Sequence, residues 1–273
     1  MQTGTHSSNP GPIVDVAWLK THRDSTAVRI IDVRPLGHYM MGHIPGAVQI
    51  DINAIRLPNS NDDGIAGFIA HARTELQGIG IQPGDQVVFY EDYSGSSAAR
   101  GVWMLDAIGH RGGMMLDGGI RAWMQAGEQL SRDTPFSDSS TLPAILDRSV
   151  LVTATEIASA LENHTNVTIL DSRNDAEFMS GTIPNALHLE WTHHLAADGT
   201  FLPLGELRTM YGALGVTTSG SQPVITFCGS GYRSAHTYVV LKALGIPEVR
   251  NYAPSWGEWG RRSDLPVEVP RYR

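Results

Sequence analysis

The 273-residue chain contains one cysteine, Cys228, and its surroundings suit thiolate chemistry. A short buried-type run, Val224-Ile225-Thr226-Phe227, leads directly into it. Gly229-Ser230-Gly231-Tyr232-Arg233 follow, and a helical pattern opens at Ser234. The thiol is therefore expected at the carboxyl end of a strand, in a short loop that feeds a helix N-terminus. Two glycines let the backbone curl so that successive N–H groups face inward as an anion nest. The helix N-terminus adds partial positive charge. Both features favour thiolate over thiol and depress its pKa. A thiolate is a nucleophile, and the same cradle can hold a charged adduct on the sulfur. A cysteine after a strand, taken alone, is more often a buried structural residue. The C-x4-R spacing, the two glycines and the following helix tip the reading toward chemistry.

With a single cysteine, an internal disulfide and a cysteine-rich zinc site are both excluded. His193 and His194 are adjacent, so they point apart on a helix or a strand. No His-x3-His pair lies beside a carboxylate, and no metal is expected. No dinucleotide fingerprint follows a strand, so no cofactor is implied. Twenty basic against 28 acidic residues give a net charge of −8. Whole-surface attraction to nucleic acid or anionic lipid is not expected from that balance. No apolar run reaches the length of a membrane span. Met1 to Pro12 is polar, without a basic start or an apolar stretch, and reads as a loose arm on a soluble, cytoplasmic protein.

The elements that must hold the loop occur twice. Ile30-Ile31-Asp32-Val33-Arg34 is echoed by Ile169-Leu170-Asp171-Ser172-Arg173. Gly42-His43-Ile44-Pro45-Gly46-Ala47 is echoed by Gly181-Thr182-Ile183-Pro184-Asn185-Ala186. Both echoes share one offset, 171 − 32 = 139 and 184 − 45 = 139. Val87-Val88 returns as Val224-Ile225 at 137, and Leu105, Gly109 and Trp123 return as Leu241, Gly245 and Trp259 at 136. A repeat this long is a duplicated domain, not a solenoid unit. The expected division is an N-terminal domain over 13–130, a Pro- and Ser-rich extended linker over 131–149, and a C-terminal domain over 150–270. Each half alternates short apolar runs (28–33, 87–90 and 114–116; 167–170 and 224–227) with helical patterns (97–108 and 234–244). The fold class is α/β: two tandem domains, each a mostly parallel sheet flanked by helices. In such sheets the chemistry sits at the carboxyl ends of the strands.

With these motifs in order, the chain resembles a tandem-domain rhodanese over about 13–269. The carriers are the Gly42 to Ala47 motif, Asp171-Ser172-Arg173, the Cys228 to Ser234 loop, and Asn251-Tyr252-Ala253-Pro254-Ser255-Trp256-Gly257-Glu258-Trp259-Gly260. The resemblance implies a sulfurtransferase of the thiosulfate or 3-mercaptopyruvate type. Cys228 would take a sulfane sulfur as a persulfide and pass it to cyanide or a thiol, including a protein thiol. Gly229, Ser230, Gly231, Tyr232, Arg233 and Ser234 would form the cradle. Arg173 would reach the anionic group of a small donor, since a guanidinium pairs well with sulfonate or carboxylate oxygens; its structural alternative is a salt bridge at a strand end. In the first half Glu91 stands where the cysteine would be, so that domain is expected to be catalytically inactive and to build one wall of an interdomain cleft. Trp256 and Trp259 read as packing.

The donor type is mixed in the sequence. Cys228-Gly229-Ser230-Gly231 resembles the mercaptopyruvate type, whereas Arg233 resembles the thiosulfate type. The mercaptopyruvate type carries a second carboxylate-binding arginine after Asp-Ser-Arg, and Asn174 to Ser180 contains none. Thiosulfate is favoured, because two charges suit Arg173 plus Arg233. The other readings are a 3-mercaptopyruvate sulfurtransferase, a persulfide carrier and, remotely, a cysteine phosphatase. The phosphatase loop, C-x5-R, is one residue longer, and the smaller ring here suits sulfur better than a phosphoryl group.

Overall fold

The computed structural model describes residues 11–135, 138–143, 145–220 and 222–271. Ten residues of the expected N-terminal arm, 1–10, lie outside the described residues. The first half runs β1 (Ile13–Val14), α1 (Val16–His22), β2 (Val28–Asp32), α2 (Leu36–Met41), β3 (Ala47–Gln49), α3 (Asp62–Gly78), β4 (Gln86–Tyr90), α4 (Ser96–Ala107), β5 (Gly113–Leu116) and α5 (Gly119–Gln125). The second runs α6 (Ala154–Glu162), β6 (Thr168–Asp171), α7 (Asp175–Met179), β7 (Leu187–His188), a 3₁₀ turn (Trp191–His194), α8 (Leu204–Ala213), β8 (Val224–Phe227), α9 (Arg233–Ala243), β9 (Val249–Asn251) and α10 (Ser255–Trp259).

The two sheets are copies. The first has the order β1-β5-β4-β2-β3 and the second β7-β6-β8-β9, and every strand pair is parallel. A single parallel bridge from Leu151 to Asn251 stands where β1 pairs β5 in the first half. The central strands are apolar on both faces because helices cover both sides. Val87, Val88, Phe89 and Tyr90 are fully buried, as are the four residues of β8. This is the continuous apolar pattern of a parallel sheet sandwiched between helix layers.

The helices that follow the two equivalent loops, α4 and α9, pack against each other across the domain boundary. Each is buried over nearly its whole circumference, Ala98–Ala107 in one and Ser234–Leu241 in the other. A helix buried on all sides needs a partner on all sides, and one continuous core draws on both halves. Polar groups fix the register. Asp106 of α4 accepts from the Tyr238 hydroxyl at 2.7 Å and from Lys242 Nζ at 2.6 Å. The interface is thus extensive and largely apolar, which disfavours hinge motion between the halves.

The described part of the linker is extended but not loose. Ser131 bridges to His43, the Arg73 guanidinium donates to the Leu142 carbonyl at 2.7 Å, and the Leu142 side chain is buried. No helix among the described residues is long and apolar enough to cross a membrane.

Candidate active site

Strand β8 ends at Phe227, and Cys228 is the next residue. The loop 228–232 then turns into α9, which begins at Arg233. Gly231 makes the turn possible. Its φ is +87°, a left-handed conformation, and a Cβ there would lie 2.4 Å from the Ala253 carbonyl oxygen. Only glycine meets both demands. The start of α10 clamps the loop from outside: Trp256 N–H donates to the Cys228 carbonyl at 3.0 Å, and Gly257 N–H to that of Gly229 at 2.8 Å.

Cys228 is 1% exposed, and the Gly231 N–H points at its sulfur from 3.2 Å. Burial alone pushes the thiol up. The Ser234 side chain, the Arg233 charge and the peptide groups of Ser234 and Ser230 outweigh it, so the thiol lies below its ordinary range. Ser255 adds a partner the sequence reading missed. Its hydroxyl accepts from the Cys228 N–H at 3.0 Å and donates to the Tyr252 carbonyl at 2.7 Å. With its single proton so committed, the 3.9 Å approach of that oxygen to Sγ is packing.

The loop side chains divide their work. The Ser234 hydroxyl lies 2.7 Å from Asn251 Oδ1, so its one proton is divided between that oxygen and the sulfur. Ser230 is exposed toward the interdomain cleft. Tyr232 reaches across the boundary and donates to the Ile52 carbonyl at 3.2 Å. Arg233 is held in a two-toothed ion pair by Glu177, with one contact at 2.8 Å. That carboxylate is held below its usual range, first by hydrogen bonding with Arg233. Glu177 also caps α7 reciprocally with Asn174. Arg233 therefore serves the sulfur as a nearby charge, and its oxygen-binding face is already occupied.

Arg173 lies inside the strand-end turn rather than on an open face. It is 1% exposed, and its Nε and Nη2 bind Asp171 at 3.0, 3.1 and 2.6 Å while Nη2 also donates to the Gly181 carbonyl at 2.6 Å. Its guanidinium lies over the Trp256 ring at 4.5 Å. The first half repeats this arrangement: Arg34 binds Asp32 at 3.0, 3.1 and 2.6 Å and the Gly42 carbonyl at 2.8 Å. A contact present equally in the half without a thiol is architectural. Arg173 pins the Asp-x-Arg turn to the Gly-x-Ile-Pro turn, which is the salt-bridge role weighed for it beside a donor contact.

In the first half Glu91 fills the corresponding cradle with its own carboxylate. It accepts from Ser97 N–H at 2.7 Å and Ala98 N–H at 3.0 Å at the start of α4. Between the halves lies a cleft of about 460 Å³, bordered by Ser230, Tyr232 and Gly257 on one side and by Arg56 and Arg100 on the other. Among the described residues no group of three or more His, Cys, Asp or Glu side chains could hold a metal.

Comparison with known proteins accords with this geometry. The family model described as "Rhodanese-like domain" matches residues 15–126 and again 153–262. The thiosulfate sulfurtransferase of Pseudomonas aeruginosa is 32% identical over 248 residues, covering 88% of this chain and 90% of that protein. The 3-mercaptopyruvate sulfurtransferase of Escherichia coli is 29% identical over 279 residues, covering 93% and 97%. The crystal structure of SseA from Escherichia coli, a 3-mercaptopyruvate sulfotransferase by its description, superposes with a TM-score of 0.77 at 28% identity, covering 91% of this chain and 100% of that one. Because one model fits both halves of the duplication separately, the chain belongs to the rhodanese family.

Proposed function

We propose that this rhodanese-family sulfurtransferase moves a sulfane sulfur from thiosulfate to cyanide or a thiol through a persulfide on Cys228. The observation that carries the reading is the lone thiol at the end of β8, set below its ordinary pKa and faced by an inward peptide N–H. The thiolate attacks the outer sulfur of thiosulfate. A bond forms between Sγ and that sulfur, the bond to the sulfonate sulfur breaks, and sulfite leaves with the electron pair. The peptide groups of the loop then hold the negative charge on the persulfide. Cyanide or a thiolate attacks the outer sulfur, carries it away as thiocyanate or a new persulfide, and returns Cys228 as thiolate.

Thiosulfate is favoured over 3-mercaptopyruvate because, among the described residues, the cleft beside the loop is lined by three guanidinium groups and no carboxylate. A doubly charged donor gains more from that field than a keto acid with one carboxylate. The pairing of Arg173 and Arg233 that suggested thiosulfate in the sequence does not carry this preference, since both already have acidic partners. The test is steady-state turnover of both donors with cyanide, on the native protein and on Cys228→Ala. The expected result is higher kcat/KM with thiosulfate, a native mass increase of one sulfur atom, and neither in the variant. A large preference for 3-mercaptopyruvate would overturn the donor assignment, and unaltered turnover in Cys228→Ala would overturn the mechanism.

A further inference from the structure

Three arginines are buried among the described residues, Arg34, Arg100 and Arg173. Two are locked to aspartates. Arg100 is not. It is 1% exposed, and its buried Nε and Nη1 donate to nothing among the described residues. Its guanidinium is stacked over Trp103 at 4.4 Å, with the Phe68 and Tyr232 ring centroids at 5.3 and 5.5 Å. Aromatic faces accept a cation but offer no oxygen to its N–H groups. A buried charge left without a counterion is costly, and a fold keeps one where something else supplies the partner.

The surroundings say where that partner comes from. Arg100 belongs to α4 of the N-terminal domain and borders the same cleft as Ser230, Tyr232 and Gly257 beside the Cys228 loop. Arg56, also from the N-terminal domain, and Arg261, from the C-terminal domain, are exposed at the cleft. No ion pair among the described residues engages any of the three. Burial lowers Arg100 to about 10, still cationic at neutral pH.

We propose that Arg100 is the anion-binding residue for the sulfonate end of the donor, with Arg56 and Arg261 flanking it, so that the thiol-less N-terminal domain supplies donor recognition. The proposal deepens the sulfurtransferase reading and rests on it for the identity of the anion. The sulfonate oxygens take up the idle guanidinium N–H groups, and the outer sulfur is left facing the loop. A planar guanidinium suits this task better than an ammonium, because it offers paired donors.

The test compares the native protein with Arg100→Met, Arg100→Lys, Arg56→Gln and Arg261→Gln in three measurements. These are KM for thiosulfate, binding of sulfate followed by tryptophan fluorescence, and alkylation of Cys228 by neutral iodoacetamide. Arg100→Met is expected to raise KM and the sulfate Kd by about 10- to 100-fold, and Arg100→Lys is expected to restore only part of the loss. Alkylation should slow by no more than about 3-fold, because Arg100 favours the Cys228 thiolate only as one charge beside Arg233 and the peptide groups of the loop. The melting temperature should hold or rise, because an unpaired buried charge is gone. Should Arg100→Met fail to fold, the exposed Arg56→Gln and Arg261→Gln carry the same test with KM shifts of roughly 2- to 5-fold. Unchanged KM and sulfate binding in the folded variants overturns the proposal. So does a KM loss that is matched by the alkylation rate with sulfate binding intact, since Arg100 would then act on the thiol alone. If thiosulfate does not load the native protein while sulfate still binds through Arg100, the donor reading falls and the anion site stands.

Discussion

Ser255 and Gly119 occupy equivalent places in the duplication, 255 − 119 = 136, and share one backbone conformation, with φ of +57° and +56°. That region strains any residue with a Cβ, at a cost of roughly 1 kcal/mol or more. The N-terminal domain relieves the strain with glycine. The thiol-bearing domain keeps a serine, whose hydroxyl accepts from the Cys228 N–H and donates to the Tyr252 carbonyl. The strain is retained where it fixes the backbone of the nucleophile.

Ser255→Ala and Ser255→Gly separate the two contributions. Both remove the acceptor of a buried N–H, which costs about 1–3 kcal/mol. Only the glycine variant also relieves the strain, so it should be more stable than the alanine variant by roughly 1 kcal/mol in denaturant unfolding. Both should lose sulfur-transfer rate through a displaced loop. Equal stability of the two would show that the conformation carries no strain.

The thiolate depends on the charge balance between Arg233 and Glu177. Removing the cation in Arg233→Met should move the midpoint of Cys228 alkylation against pH upward, because the charge that favours thiolate is gone. Removing the carboxylate in Glu177→Gln should leave the midpoint unchanged or lower, since Arg233 then acts unopposed. A midpoint that moves in the same direction in both variants would contradict this division.

Arg173→Ala tests architecture against recognition. It leaves Asp171 buried without its ion partner, a loss of about 3–5 kcal/mol by analogy with other broken buried pairs. Arg34→Ala should cost about as much in the domain that has no thiol, because the bonds are the same. If the folded fraction of Arg173→Ala instead showed full stability with a raised KM for thiosulfate, Arg173 would be a donor ligand after all.

Much of this was legible from residue types. The duplication, the strand that leads into Cys228 and the glycine turn follow from local pattern, and the structure places β8 at Val224–Phe227 as expected. Helix α3 lies outside the elements read from the sequence. Its signal was available in Asn61, which caps Gly64 N–H at 2.8 Å, and in Ile65, Phe68, Ile69, Ala72 and Leu76 at helical spacing. Ser255 sat in a recognised segment, but its role needs a φ value that no residue type announces. Arg100 lay further out of reach. Whether an arginine is paired depends on which residues the fold brings beside it, and here the neighbours at Phe68 and Tyr232 are 32 and 132 residues away. Arg173 shows the converse limit: motif identity marks a turn that both halves need, without distinguishing support from chemistry.

The domain boundary contains a second buried polar chain, and it predicts acid sensitivity. His236 of α9 places Nε2 3.0 Å from the Ser94 carbonyl of the N-terminal domain, so that nitrogen donates and carries the proton. Its Nδ1 then accepts from His194 Nδ1 at 3.2 Å, and His194 Nε2 accepts from the Tyr211 hydroxyl at 2.8 Å. Every group is satisfied with both rings neutral. A second proton, on His236 Nδ1, sets it against the His194 Nδ1–H, between the Trp191 and Phe201 rings that flank His236. Burial, chiefly, lowers His236 to about 4 and holds His194 well below its usual range. Both are depressed relative to the unfolded chain, so the stabilisation is complete above pH 6.5 and declines as the pH falls from there toward about 4. The loss from His236 alone is on the order of 3 kcal/mol. Thermal unfolding followed from pH 7.5 to 4.5 should show this decline, and His236→Gln, whose amide can still donate to the Ser94 carbonyl, should flatten it. An acid limb of the same slope in His236→Gln would place the sensitivity elsewhere in the chain.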